Sequence, residues 1–122
     1  MDVINTSLPE VLLIKPKIFK DSRGFFLESW NSARYEEIGL PKIFLQDNIS
    51  YSEHGVLRGL HFQEPNAQGK LISVLKGDIF DVAVDIRLGS PRFGNWVGLT
   101  LTADTHHQIW IPPGFAHGFL VT

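Results

Sequence analysis

Apolar residues in this chain fall in short runs separated by Gly, Pro and Asp, a pattern of many short strands rather than of long helices. Residues 11–14 read as a strand that stops near Pro16. Asp21-Ser22-Arg23-Gly24 supplies turn chemistry, and residues 25–30 follow as a strand. Asn31 is placed to cap a short helix running to about residue 40, with Gly39 near its end and Pro41 beyond. Residues 44–50, 56–63 and 70–76 are the next expected strands, and Lys76-Gly77-Asp78 reads as a tight hairpin. Residues 80–87 alternate: Phe80, Val82, Val84 and Ile86 share one face, while Asp81, Asp85 and Arg87 share the other, polar one. Gly89-Ser90-Pro91 turns the chain, residues 96–101 and 107–111 are strands, and Pro112-Pro113-Gly114 separates them from a last run at 118–122. About eight or nine short strands at this spacing predict an all-β sandwich or barrel. The sequence stops inside the apolar run Leu120-Val121-Thr122, which predicts a domain lacking its C-terminal part, since the last strand would want a partner.

Composition narrows the function classes. A length of 122 residues fits one domain, and 43% hydrophobic against 20% charged residues is a globular balance. A net charge of -2 argues against a nucleic-acid surface, which needs clustered Lys and Arg. The absence of cysteine excludes disulfide and thiolate chemistry within these residues. Met1-Asp2-Val3-Ile4-Asn5 has no basic segment followed by an apolar core, and no apolar run is long enough to span a membrane, so the cytoplasm is the expected location.

Several polar groups stand where a barrel would prefer apolar ones. In residues 56–63, strict alternation puts Val56, Arg58, Leu60 and Phe62 on one face and Leu57, Gly59, His61 and Gln63 on the other. A bulge at Gly59 would break that phase and bring Arg58 and His61 to the same side. Without it, Arg58 is a surface charge and His61 a core histidine. Gln46 and Asn48 share a face, which suits either recognition of a polar ligand or an edge strand with one wet side. Lys70 opens a strand, and Arg23 and Glu28 flank Gly24-Phe25-Phe26; each could equally be a solvated surface group. Pro112-Pro113-Gly114-Phe115-Ala116-His117 resembles the second metal motif of cupin barrels, with His117 in the ligand position. The first motif would need His-x-His, and His61-Phe62-Gln63 lacks the second histidine, so no metal site is expected.

The chain as a whole resembles the dTDP-4-dehydrorhamnose 3,5-epimerase family. The matching segments are Phe19 to Glu28, Gln46-Asp47-Asn48-Ile49-Ser50, Gly55 to Gln63, Ala67-Gln68-Gly69-Lys70-Leu71, Gly77 to Arg87 and Trp110 to Phe119, in order, along nearly the whole sequence. The resemblance implies a cupin-type jelly-roll β-barrel with one short helix, pairing as a homodimer. It implies a dTDP-4-keto-6-deoxyhexose as substrate, inverted at C3 and C5 without any cofactor. It further implies His61 as the base that removes the carbon-bound protons and Lys70 as the cation facing the enolate. Arg23, Phe26, Glu28, Gln46, Asn48, Arg58 and His117 match positions that hold nucleotide or sugar. The family's acid tyrosine, the carboxylate orienting its base, and an aromatic that stacks on thymine all correspond to positions past residue 122, and Tyr35 and Tyr51 do not match the tyrosine. Three other readings remain open on sequence: an epimerase acting at one carbon, a metal-dependent cupin using His61, His117 and one of His106 or His107, and a non-catalytic sugar-nucleotide binding barrel.

Overall fold

The computed structural model describes residues 1–63 and 67–122. Among them are ten strands and one helix. The strands are β1 (Asp2–Asn5), β2 (Leu12–Lys15), β3 (Ile18–Asp21), β4 (Gly24–Leu27), β5 (Leu57–His61), β6 (Lys70–Ser73), β7 (Asp78–Asp85), β8 (Trp96–Thr102), β9 (Gln108–Ile111) and β10 (Phe115–Val121); the helix α1 is Ser32–Glu37. Two four-stranded antiparallel sheets, β1-β2-β9-β6 and β5-β10-β7-β8, form the body, and β3 and β4 make a separate hairpin. The fold is all-β, as the strand pattern predicts, and is the cupin-type jelly roll that the resemblance implies.

The two sheets share one apolar interior. Leu13, Ile72, Ile109 and Ile111 from the first sheet meet Ile79, Ala83, Val97, Leu99, Leu101 and Phe115 from the second, with Leu8 and Val11 closing one end. Alternation then assigns the opposite face of β2, β6 and β9 to a second cluster. There Ile14, Leu71 and Trp110 pack against Trp30, Tyr35, Ile38, Leu40 and Phe44 from α1 and its flanks. Asn31 caps α1 as expected, its side-chain oxygen accepting from the Arg34 amide at 3.0 Å. The helix is fixed to the sheet by a buried polar link: the Tyr35 hydroxyl donates to Gln108 Oε1 at 2.7 Å, and Gln108 Nε2 donates to the Ser29 carbonyl at 2.8 Å.

Three expectations need correction, and the structure also sets which face of β7 is the inner one. Residues 44–50 form no strand: among the described residues no backbone pairs with them, and Leu45 and Ile49 stand 96% and 84% exposed. An apolar alternation makes a strand only where a ladder partner exists. Lys76-Gly77-Asp78 is not a hairpin, because β6 pairs with β9 while β7 pairs with β8 and β10. The helix ends at Glu37 rather than near residue 40, and β1 and β3 carry no strand signal strong enough to be read. Finally, the polar face of β7 points inward. Asp81, Ala83 and Asp85 are buried, whereas Phe80, Val82 and Val84 are half-buried on the other side. Phe80 covers Gly98 of β8 so closely that a Cβ there would come within 2.2 Å of the ring.

Inward aspartates are sustainable because each has a partner. Asp85 accepts from Arg87 Nε and NH2 (3.1 and 2.8 Å) and from Ser90 Oγ (2.5 Å), and these bonds hold its carboxyl well below the usual carboxylate range. Asp81 is bonded to His117.

Candidate active site

The register of β5 on β10 is the first determinant of the site. His61 pairs with His117 and Arg58 pairs with Phe119, so three steps along β5 oppose two along β10. That is a bulge, and it sits at Gly59, whose φ of +105° suits glycine. A Cβ at residue 59 would lie 2.6 Å from the His117 carbonyl oxygen. His117 and Phe119 lie two apart on one face, their rings 6.2 Å apart, so their partners His61 and Arg58 also share a face. The bulge expected at Gly59 is present and does what the phase argument requires.

The second determinant is the register of β10 on β7. His117 pairs with Ala83, and the next inward residue of β7, Asp81, brings Oδ2 within 2.7 Å of His117 Nε2. Both residues are buried, at 7% and 2% exposure. The other Asp81 oxygen, Oδ1, is buried without a hydrogen-bond partner among the described residues. Burial raises the Asp81 pKa; His117 and the Lys70 ammonium pull it back only in part.

Lys70 enters from the opposite sheet. It opens β6 opposite Ile111, and it shares the inward face with Ile72, which belongs to the core. His61 and Lys70 line one pocket of about 100 Å³, together with Gln63, Gln68, Ile111 and Phe115 among others. Its His61 side faces the outer surface, since His61, Phe62 and Gln63 are exposed.

The remaining expected site residues are on that surface. Arg23 and Phe26 belong to the β3–β4 hairpin; the Arg23 guanidinium donates to Asp21 at 2.6 Å, and Phe26 is 70% exposed. Glu28, just past β4, accepts from Asn31 Nδ2 at 2.7 Å and pairs with Arg34. Gln46 Nε2 donates to Asn48 Oδ1 at 3.0 Å, and Arg58 Nε donates to Ser52 Oγ at 2.6 Å. The structure thus brings His61 and Lys70 to one pocket, sets His117 beside His61 on the neighbouring strand and Arg58 on the face of His61, and leaves these two, with Arg23, Phe26, Glu28, Gln46 and Asn48, outside the lining of the pocket.

Metal chemistry would need a third donor. Among the described residues no three His, Cys, Asp or Glu side chains stand as a metal-holding group. His106 instead packs its ring 4.5 Å from that of Phe25. His107 has its pKa lowered by burial and by Lys15.

Asp81 is the residue that sequence reasoning missed. Local alternation put it on the polar face with Asp85 and Arg87, and nothing in residues 80–87 alone says whether that face is the inner or the outer one. The signal lies in the pairing of β7 with β10, which sets residue 81 one inward step from the partner of His117.

Comparison with known proteins follows the same lines. The family model of dTDP-4-dehydrorhamnose 3,5-epimerase matches residues 5–122. A dTDP-4-dehydrorhamnose 3,5-epimerase of Shigella flexneri is 58% identical over 99% of this chain and 68% of its own. One from Neisseria gonorrhoeae is 54% identical over 99% of this chain and 37% of its own. The crystal structure of a dTDP-6-deoxy-D-glucose-3,5-epimerase from Legionella pneumophila, in complex with dTDP-4-keto-L-rhamnose, superposes with a TM-score of 0.95 at 59% identity. That superposition covers 98% of this chain and 64% of that one. The chain therefore spans between 37% and 68% of the length of these relatives. With the fold, the order of its motifs and nearly its whole length in agreement, the chain belongs to the dTDP-4-dehydrorhamnose 3,5-epimerase family.

Proposed function

We propose that the full-length protein is a dTDP-4-dehydrorhamnose 3,5-epimerase, converting dTDP-4-dehydro-6-deoxy-D-glucose to dTDP-4-dehydro-L-rhamnose. The observation that carries the reading is the convergence of His61 and Lys70, from opposite sheets, on one pocket beside His117.

The chemistry asks for these groups. A 4-keto sugar has acidic C–H bonds at C3 and C5, because the electrons left by either proton delocalise onto the carbonyl oxygen as an enolate. The substrate is its own electron sink, so the reaction is proposed to need neither metal nor cofactor. Histidine is the side chain whose unperturbed pKa lies nearest neutrality, and His61 is the proposed base. An ammonium aimed at the developing oxyanion lowers the barrier by about 3–4 kcal/mol, the role proposed for Lys70. Arg58 and Arg23 suit a pyrophosphate through forked hydrogen bonds. Phe26 supplies an exposed aromatic face, and Glu28, Gln46, Asn48 and His117 supply polar contacts to nucleotide or sugar. Inversion also needs a proton returned to the opposite face. Tyr35 is unsuited to deliver it, being buried and bonded to Gln108.

A homodimer in the cytoplasm completes the proposal. The exposed apolar side chains Leu45, Ile49 and Leu57 support a face that a second subunit would cover. Among the described residues no helix is long and apolar enough to cross a membrane.

The test is incubation of the full-length protein with dTDP-4-dehydro-6-deoxy-D-glucose in D2O, followed by NMR of the sugar. Deuterium at both C3 and C5 with the L-rhamno product supports the reading. Deuterium at one carbon reassigns the protein to single-carbon epimerases, and none at either carbon rejects epimerisation.

A further inference from the structure

The reading above leaves Asp81 unused, although it is the buried carboxylate nearest the proposed chemistry. We infer that Asp81 is a positioning residue: it holds the His117 ring as its Nε2–H tautomer beside His61 and serves as counter-ion to Lys70. The inference rests on the proposed proton-transfer role of His61 and Lys70.

Three observations combine. Asp81 Oδ2 lies 2.7 Å from His117 Nε2 with both groups buried, so neither can exchange this bond for water. An ionised carboxylate only accepts, so the Nε2 it contacts must carry the hydrogen, and Nδ1 of a neutral ring is left as an acceptor. His117 in turn is the direct ladder partner of His61, which puts their Cβ atoms roughly 4.5–5.5 Å apart. The orientation of one ring therefore shapes the surroundings of the other.

The charges around Asp81 point the same way. His117 from β10 is bonded to its carboxylate, and Lys70 enters the same interior from β6, on the inward face it shares with Ile72, without forming an ion pair with it among the described residues. Asp85, two positions along the same face, is taken up by Arg87 and Ser90 and does not compete. Asp81 Oδ1 has no partner among the described residues and so keeps a lone-pair side free for an ammonium. When His61 accepts a carbon-bound proton it becomes a cation next to Lys70, and Asp81 is the buried anion placed to offset the pair.

Two measurements test the inference. The first is the ¹⁵N–¹H correlation spectrum of the imidazoles in the full-length protein at neutral pH. A single Nε2–H tautomer for His117 is expected; an Nδ1–H tautomer or an even mixture of the two overturns the assignment. The second uses the full-length protein and compares Asp81→Asn, which keeps an acceptor but loses the charge, with Asp81→Leu, which loses both. The expected pattern is a fall in kcat on the order of 10- to 100-fold, larger for Leu than for Asn, with a smaller rise in KM because His117 also contacts the ligand, the size expected where a carboxylate orients a histidine. Folded variants with wild-type kcat would overturn the inference, and so would a loss confined to KM. If either variant fails to fold, the tautomer of the wild-type chain still decides. Absence of deuterium exchange by the wild-type protein would reject the epimerase reading separately, leaving the tautomer result to judge how Asp81 holds His117.

Discussion

His61 and His117 stand directly opposite each other on neighbouring antiparallel strands, and they meet because β5 takes one extra residue at Gly59. Without the bulge, strict alternation along β5 would turn Arg58 and His61 to opposite sides of the sheet. Glycine at residue 59 is thus a condition of the site as well as of the turn.

Replacing that glycine makes the condition measurable. Gly59→Ala combines a backbone conformation disfavoured for L-residues with a Cβ 2.6 Å from the His117 carbonyl. A loss of about 2–4 kcal/mol is expected, adding the left-handed penalty to overpacking against backbone that has no room to yield. Urea unfolding of the variant checks it. A midpoint unchanged from wild type would mean that the β5–β10 contact is looser than the structure shows.

The α1 anchor gives a second prediction. Tyr35→Phe removes the hydroxyl that donates to Gln108 Oε1 and leaves that oxygen unpaired in a buried setting. The expected cost is about 1–3 kcal/mol. Near-ultraviolet circular dichroism should change as well, because Trp30 lies 4.7 Å from the Tyr35 ring. A stability within error of wild type would contradict the account of how α1 is held.

Acid should weaken the fold through Asp85. Its pKa is lowered in the folded state, chiefly by Arg87, so folding releases protons relative to an unfolded aspartate near 3.8. The stabilisation is fully present above that unfolded value and is lost as pH falls from it toward the folded one. Asp81 acts with the opposite sign. Its folded pKa is raised, so between 3.8 and that raised value, acidification favours the folded state. Urea unfolding at steps from pH 6 to pH 2 should show stability dropping below about pH 4, and Asp85→Asn should remove that component of the drop. A wild-type profile flat to pH 2 would contradict the Asp85 assignment.

Much of this was legible from residues alone. Short runs between Gly and Pro carry the β architecture, Asn31 marks the helix start, and the misfit of Arg58, Gly59 and His61 to strict alternation points to the bulge. What sequence could not supply depends on partners distant in the chain. Residues 44–50 alternate like a strand but have no ladder partner among the described residues. Asp81 and Asp85 sit on the polar side of an alternation whose polar side is the inner one, because Arg87, Ser90 and His117 satisfy them. The roles of Arg23, Phe26, Glu28, Gln46 and Asn48 came from resemblance to a family and not from local chemistry. Their positions outside the lining of the His61–Lys70 pocket are compatible with holding the outer part of a long ligand.

A chelator offers a simple check on the proposed cofactor-free chemistry. Full-length protein dialysed against EDTA should retain its turnover within error, since the ketone rather than a metal takes up the electrons. Loss of activity that zinc, iron or manganese restores would favour the metal-dependent reading instead.

The most direct measurement replaces the proposed base. In the full-length protein, His61→Asn keeps a polar side chain of similar size and removes the proton acceptor. Deuterium incorporation at C3 and C5 of the ketosugar should fall by at least about 10²-fold, while dTDP still binds. Incorporation at the wild-type rate by the folded variant would show that another group removes the protons and that His61 is a bystander.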